Sequence, residues 1–284
     1  MLLRSSFAAV LLLSSSFLTA QLPAYTVFNA KGKRLTHKGM MKQLKQADII
    51  LFGELHDNAI AHWLQLEVTR ELIATGPLVL GAEMIERDDQ ATLDRYLRGE
   101  IDQAAFDTLA RLWKNHASDY KPLVELAKDH KLPFVATNVP RRYARAVNRG
   151  GFEALDTVPV AERAWIVPLP IAFDPELPRY QHMLTMMGDH GTPAMVKAQA
   201  LKDATMAHSI VERFRQGSRF IHYNGSFHSD FHEGINWYLQ RARPDLRRIT
   251  IATVKQPHVA RLNPEYLGQA DIIIVVDEDV PGTY

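Results

Sequence analysis

Ile49-Ile50-Leu51-Phe52-Gly53-Glu54-Leu55-His56-Asp57-Asn58 decides how the rest of the chain reads. Four apolar residues run into a glycine, and an acid, a histidine, a second acid and an amide follow at once. A helical pattern starts at Asn58, where Ile60, Leu64, Val68 and Leu72 recur on one face of a helix over residues 58–74. Gly76-Pro77 stops it. The stretch therefore predicts a buried strand, a tight turn and a helix start. In an open α/β sheet, ligands bind at the carboxyl ends of strands. Polar groups crowded there are costly unless they are paired or used.

The same grammar repeats along the chain. Residues 78–84, Leu78-Val79-Leu80-Gly81-Ala82-Glu83-Met84, form a second continuous apolar run ending in an acid. Residues 132–138 end in Asn138, and residues 219–225 lead into Ser226-Phe227-His228. Two further apolar runs cover 248–254 and 272–276, and a short alternating one covers 25–28. Such runs suit parallel strands buried on both faces. Between them, helices are predicted over 36–46, 87–112 with a break at Gly99, 120–131, 140–148, 192–216 and 233–241, with a loop at 113–119. Alternating strands and helices predict a mostly parallel sheet flanked by helices in three layers. Residues 140–216, rich in proline after 152, form a helical insertion after the third core strand.

Composition narrows the function. A net charge of +1 gives no general electrostatic grip on nucleic acid or anionic lipid. There is no cysteine, which removes disulfides, thiolate nucleophiles and Cys-ligated metals. Arg4, the apolar run 7–13, and the small residues up to Ala20 or Ala24 read as an export signal over 1–24, leaving a mature domain at 25–284 in the periplasm or cell envelope. A lipoprotein signal needs Cys where Gln21 stands, so no lipid anchor is expected.

Three constellations are candidates for chemistry. Parallel strands bring Glu54, His56, Glu83, Asn138 and His228 to one edge, where they suit a divalent metal or acid–base work, or pair among themselves to satisfy a buried edge. No His-Glu-x-x-His supports the metal. In the insertion, Tyr180, Met183 and Met187 share one helical face, and His182, Met186 and His190 share the next. These are ligand types for haem iron with a polarizable wall, or a Met-lined core face with surface histidines. On the helix 192–216, Gln199, Asp203 and Met206 share a face, which either anchors the helix to the strand ends or is solvated. Arg141 and Arg142 open a helix where they can meet a carboxylate. His62, His116 and Tyr143 stand isolated. Gly225-Ser226-Phe227 does not make a Gly-x-Ser-x-Gly elbow, and no Gly-x-Gly-x-x-Gly or Walker loop occurs.

Gly53-Glu54-Leu55-His56-Asp57, Gly81-Ala82-Glu83-Met84, Asn138-Val139-Pro140-Arg141, residues 198–207 and Gly225-Ser226-Phe227-His228 occur in the order typical of ChaN-like haem-binding uptake proteins, and the chain resembles that family over residues 48–279. The resemblance implies an α/β sheet with a helical insertion and an iron-regulated envelope protein that binds haem, with Tyr or His on the iron and a homodimer in some members. It also implies outer-membrane or periplasmic haem-uptake components as partners. Tyr180 and His182 are the expected iron ligands, with Met183, Met186 and Met187 on the porphyrin. The strand-end motifs also resemble Tiki-type metalloproteases and erythromycin esterases. That likeness implies, as the alternative, a metal-dependent hydrolase built on Glu54, His56, Glu83 and His228.

Overall fold

The computed structural model describes residues 23–284. The expected export signal over 1–24 lies outside them but for its last two positions. In chain order the elements are β1 (Tyr25–Asn29), β2 (Arg34–Leu35), α1 (His37–Leu44), β3 (Ile49–Glu54), α2 (Ala59–Ile73), β4 (Leu78–Glu86), α3 (Gln90–Leu97), α4 (Gln103–Leu109), α5 (Lys121–Asp129), β5 (Phe134–Asn138), α6 (Arg141–Gly150), α7 (Pro178–Met187), α8 (Pro193–Arg213), β6 (Arg219–Gly225), α9 (Ile235–Ala242), β7 (Arg248–Gln256) and β8 (Ile272–Asp277). Short 3₁₀ turns and one π turn (His116–Tyr120) join them. Among the described residues, no helix is long and apolar enough to cross a membrane.

The strands form one sheet of order β2-β1-β8-β7-β3-β6-β4-β5. The six from β8 to β5 are mutually parallel, and β1 pairs antiparallel with β8 and β2. The short strand expected at 25–28 is β1; its antiparallel direction was not legible in the sequence, nor was the edge strand β2, which has only two residues.

The apolar runs are continuous because both faces of the sheet are covered. Side chains alternate along a strand. In β3, Ile50 and Phe52 pack with Leu64, Val68 and Leu72 of α2, with α5 in the same layer. Ile49 and Leu51 point the other way, against Met206 and Ile210 of α8 and Leu239 of α9. Val79 and Val135 of β4 and β5 join that second face, and Leu80 and Ala136 the first. The expected insertion supplies much of this second layer: α6 packs on α8 through Tyr143, Val147 and Leu201.

Helix limits follow local chemistry. Asn58 caps α2 by accepting the Ala61 N–H at 2.9 Å, and Thr192 caps α8 by accepting that of Met195 at 3.1 Å. Gly188, at φ +50°, ends α7. His190 therefore falls in the following 3₁₀ turn, so the expected row His182, Met186, His190 is not one helical face.

The chain leaves β3 for the face carrying α2 and leaves β6 for the face carrying α9. A crevice opens between neighbouring strands whose following segments depart in opposite directions. In this sheet β3 and β6 are such a pair, and the polar strand ends lie above it.

Candidate functional site

The alternation that builds the core also sorts the two strand-end acids. Glu54 continues the row of Ile50 and Phe52 and turns toward α2. Glu83 continues the row of Val79 and turns toward α8. They leave the sheet on opposite faces, and the turn after β3 carries His56 back to the edge between them.

Glu54 is wholly buried and fully occupied. Its Oε1 accepts from His56 Nδ1 at 2.9 Å and from the Tyr120 hydroxyl at 2.7 Å, and its Oε2 accepts from Gln65 Nε2 at 2.6 Å. His62 Nδ1 stands 3.5 Å from the same oxygen, and His62 Nε2 donates to the His56 carbonyl at 3.1 Å. Asn115 donates to that carbonyl as well and to Asp119, which also accepts from Thr283. A carboxylate on Nδ1 fixes the imidazole tautomer and aims the ring. The neutral ring thus carries its proton on Nδ1, and Nε2 has no hydrogen-bond partner among the described residues; burial works against charge on the ring, but Glu54 and Glu83 outweigh it and raise its pKa. The side chain is 35% exposed, and its ring stands edge-on to Trp113. The ring passes so close to β6 that a Cβ on Gly225 would lie 2.8 Å from Nε2, which only glycine permits.

On the other face, Glu83 Oε2 accepts the Gly225 N–H at 2.8 Å, and its Oε1 stands 3.1 Å from His228 Nε2. His228 Nδ1 donates to Asp203 Oδ1 at 2.5 Å, and Asp203 Oδ2 accepts the Tyr180 hydroxyl at 2.9 Å. The Gln199 carboxamide packs on the set, its Nε2 2.9 Å from His228 Nδ1; the charged ring is a donor there, so it is the amide oxygen, turned inward, that would accept from it. Burial works against charge on His228, but Glu83 and Asp203 outweigh it and raise its pKa to about 10. Burial would likewise raise Glu83; the His228 charge overcomes it and holds the carboxyl well below its usual range. His228 is therefore held as an imidazolium on the Glu83 carboxylate, while burial pushes its other partner, Asp203, above the usual carboxylate range against the pull of the His228 charge. His222, on β6, is the contrast. It is wholly buried and hydrogen-bonded to Thr137 and Asn224, and burial lowers its pKa to about 4, so it stays neutral.

A cleft of about 620 Å³ opens over these groups. His56, Glu83, His228, Gln199 and Asn138 form its polar floor, and Trp113, Val139, Ala144, Met183, Met195 and Ala198 its apolar walls. Arg141, Arg145 and Lys202, with Asn148 and the acid Glu86 beside them, complete the lining. Arg145 and Lys202 have no ion-pair partner among the described residues, and Arg141 reaches only Glu86, at 3.8 Å. Asn138 Oδ1 is buried without a hydrogen-bond partner. The floor is ionic, the walls are apolar and the remainder carries three cations against one acid, Glu86, so the cleft suits a flat apolar ligand that carries acid groups.

A family model described as haem-binding uptake, Tiki superfamily, ChaN matches residues 40–239. The chain belongs to that family. A structure described as cofacial haem binding to ChaN of Campylobacter jejuni superimposes with a TM-score of 0.67 at 17% identity, covering 89% of this chain and 96% of that one. A succinoglycan biosynthesis protein gives 0.53 at 11% identity over 86% and 91% of the two chains. An erythromycin esterase mutant in its open conformation gives 0.51 at 11% identity over 89% and 97%. At these identities the likeness is one of fold. A search of curated proteins found no match.

In this ChaN-family chain the structure treats the expected site residues unequally. His56, Glu83, His228 and Asn138 share the cleft; Glu54 backs His56 from behind. Gln199 and Asp203 are buried and anchor α8 to the strand ends, so that helix face is not solvated. Met183 lines the cleft, whereas Met186 is 64% and Met187 42% exposed. Tyr180 is buried, and its phenol is pushed far above the usual range by burial and by Asp203, so it stays protonated. His182 is exposed, and Arg179 Nη1 donates to its Nδ1 at 3.0 Å. That contact places the neutral ring's proton on Nε2. Among the described residues no three His, Asp or Glu side chains are grouped to hold a metal ion, so the metal-dependent form of the alternative finds no donor set.

Sequence reasoning missed Gln65, Tyr120, Asp119 and Thr283 and left His62 unassigned. One signal was available. Gln65 and Thr69 are polar residues at core-facing positions of α2, between Ala61 and Leu72. Tyr120 and Asp119 were unreadable because they sit in the π turn, which has no sequence period to detect.

Proposed function

We propose that the protein is an exported haem-binding protein that works in haem or iron uptake and takes haem as cargo in the strand-end cleft. The observation that carries this reading is the pairing of apolar and cationic surface in one cavity of about 620 Å³. Haem is a flat apolar ring with two carboxylates on one side. Met183, Met195, Val139 and Ala198 offer the polarizable wall a macrocycle packs on. Arg141, Arg145 and Lys202 offer charge to the propionates. Membership of the ChaN family supports the same ligand.

Of the ligands expected from sequence, Tyr180 would first have to leave Asp203 and shed a strongly held proton, and His182 would have to release Arg179 or change tautomer. The cleft itself asks neither to move. Export, a periplasmic or envelope location, a homodimer and hand-over to uptake components complete the proposal. Fractionation of cells expressing the whole chain, with the mature N-terminus sequenced, tests the export. Titration of the purified protein with ferric haem tests the binding. A saturable shift of the Soret band with quenching of Trp113 emission is expected, and a linear, unsaturable rise in absorbance would count against the reading.

A second reading keeps a specific observation. His56 has Nδ1 on a buried carboxylate and a free Nε2, which is also the arrangement of a general base. A hydrolase using Glu54, His56, Glu83 and His228 without a metal would take a proton from water at His56 Nε2. It predicts ester or amide turnover that Glu54→Gln abolishes. Absence of turnover in the folded, haem-free wild type disposes of it.

A further inference from the structure

We propose that His56, through Nε2, is the side chain that ligates haem iron, and that Glu54 with its partners Tyr120 and Gln65 sets the donor strength of that ring. The proposal deepens the haem reading and rests on it.

Four observations carry it. His56 lies in the cleft floor and is partly exposed, so its ring meets whatever enters. Its Nδ1 is committed to Glu54 Oε1, which leaves the lone pair on Nε2. Nε2 has no competing partner among the described residues, whereas both ring nitrogens of His228 are taken by Glu83 and Asp203. The lining of the cleft contains no tyrosine. Met183 and Met195 are the other iron-ligand types on the walls, and neither thioether competes well with imidazole for ferric iron.

The surroundings suit the ferric state. Glu54 accepts three hydrogen bonds, and the one from Nδ1 gives the His56 ring imidazolate character. Glu83 is a second acid beside the ring: the point where a Cβ on Gly225 would stand lies 2.8 Å from His56 Nε2 and 3.6 Å from Glu83 Oε2. Two carboxylates flanking one ligand stabilise the positive charge of ferric haem over the neutral ferrous form. Trp113, edge-on to the ring, and Gly225, beneath it, restrict the orientations the imidazole can take.

The test is the spectrum of the haem-loaded protein. Ferric haem is added to wild type, His56→Ala, Tyr180→Phe and His182→Ala, and absorbance and electron paramagnetic resonance are recorded. His56→Ala alone is expected to lose the wild-type Soret position and resonance signature, and millimolar imidazole is expected to restore them by occupying the vacated space. Glu54→Gln, which keeps the ring but weakens its partner, is expected to lower the iron–histidine stretching frequency in the reduced protein, a change that loss of folding would not mimic. An unchanged spectrum in His56→Ala, or a change in Tyr180→Phe or His182→Ala instead, overturns the assignment while leaving the haem reading standing. No saturable binding by the wild type removes both.

Discussion

His228 shows what one residue's surroundings do to it. Its ordinary pKa is 6.5 and its folded value about 10, so charged His228 stabilises the fold fully below about pH 6.5 and loses that contribution as pH rises toward about 10. Glu83 works in the opposite sense: its contribution is present above its ordinary value of 4.5 and is lost as pH falls below it. The groups facing His228 are Glu83, Asp203 and, across Gly225, His56, with Tyr180 behind Asp203. The expected stability profile is therefore a plateau near pH 5 to 7 with a decline on each side, and chemical denaturation across pH 4 to 10 measures it. His228→Gln should flatten the alkaline limb. Asp203→Asn should cost about 3–5 kcal/mol at pH 7, because it leaves a buried charge with half its partners. At Gly225 an added methyl group would meet His56 Nε2 at 2.8 Å. Gly225→Ala should therefore fold and yet displace the His56 ring, seen as an altered imidazole resonance in NMR. The identities of these residues were legible in the sequence, since acids and histidines at apolar strand ends are conspicuous. Their partnerships were not. Whether Asp203 met solvent or His228 depended on which face of α8 turned inward, and a face shared by Gln199, Asp203 and Met206 reads both ways.

Elements were the most legible scale where periodicity was strong. The runs at 49–52 and 78–84 became β3 and β4, each extended by two residues, Gly53 and Glu54 in the first and Ile85 and Glu86 in the second. The long α8 was foreseen to within about three residues at its end, because Thr192-Pro193 is an unambiguous start. The short α7 was harder to read. Its methionines suggested one ligand-facing surface, and the structure divides them between cleft and solvent, because Tyr180 fixes the helix rotation by reaching inward to Asp203. Leu51 shows how tightly the layers are joined: it is wholly buried on the α8 face, so Leu51→Ala should cost about 2–5 kcal/mol in thermal or denaturant unfolding. Met186→Ser, at an exposed position of α7, should change stability by less than about 0.5 kcal/mol.

At the scale of the molecule, the parallel sheet with helices on both faces followed from alternation of runs and helical stretches, while the antiparallel β1 and β2 did not, since nothing in so short a strand records its direction. The cleft follows from topology: segments leaving β3 and β6 on opposite faces open a crevice at the one edge where His56, Glu83 and His228 already stand. A net charge of +1 hides a local excess, because Arg145 and Lys202 beside the cleft lack ion-pair partners among the described residues. Arg145→Glu should therefore weaken haem binding severalfold at low ionic strength and less at high, as expected for partly screened charge. The claim that joins these scales is that haem occupies this cleft. The direct measurement is a ferric-haem titration of wild type beside Met195→Trp, a substitution that fills the cleft from a partly exposed position of α8, followed by Soret absorbance with circular dichroism to verify folding. Saturable binding by the wild type and at least tenfold weaker binding by the folded Met195→Trp variant is the predicted result; equal binding by both would contradict the claim and place haem elsewhere on the protein.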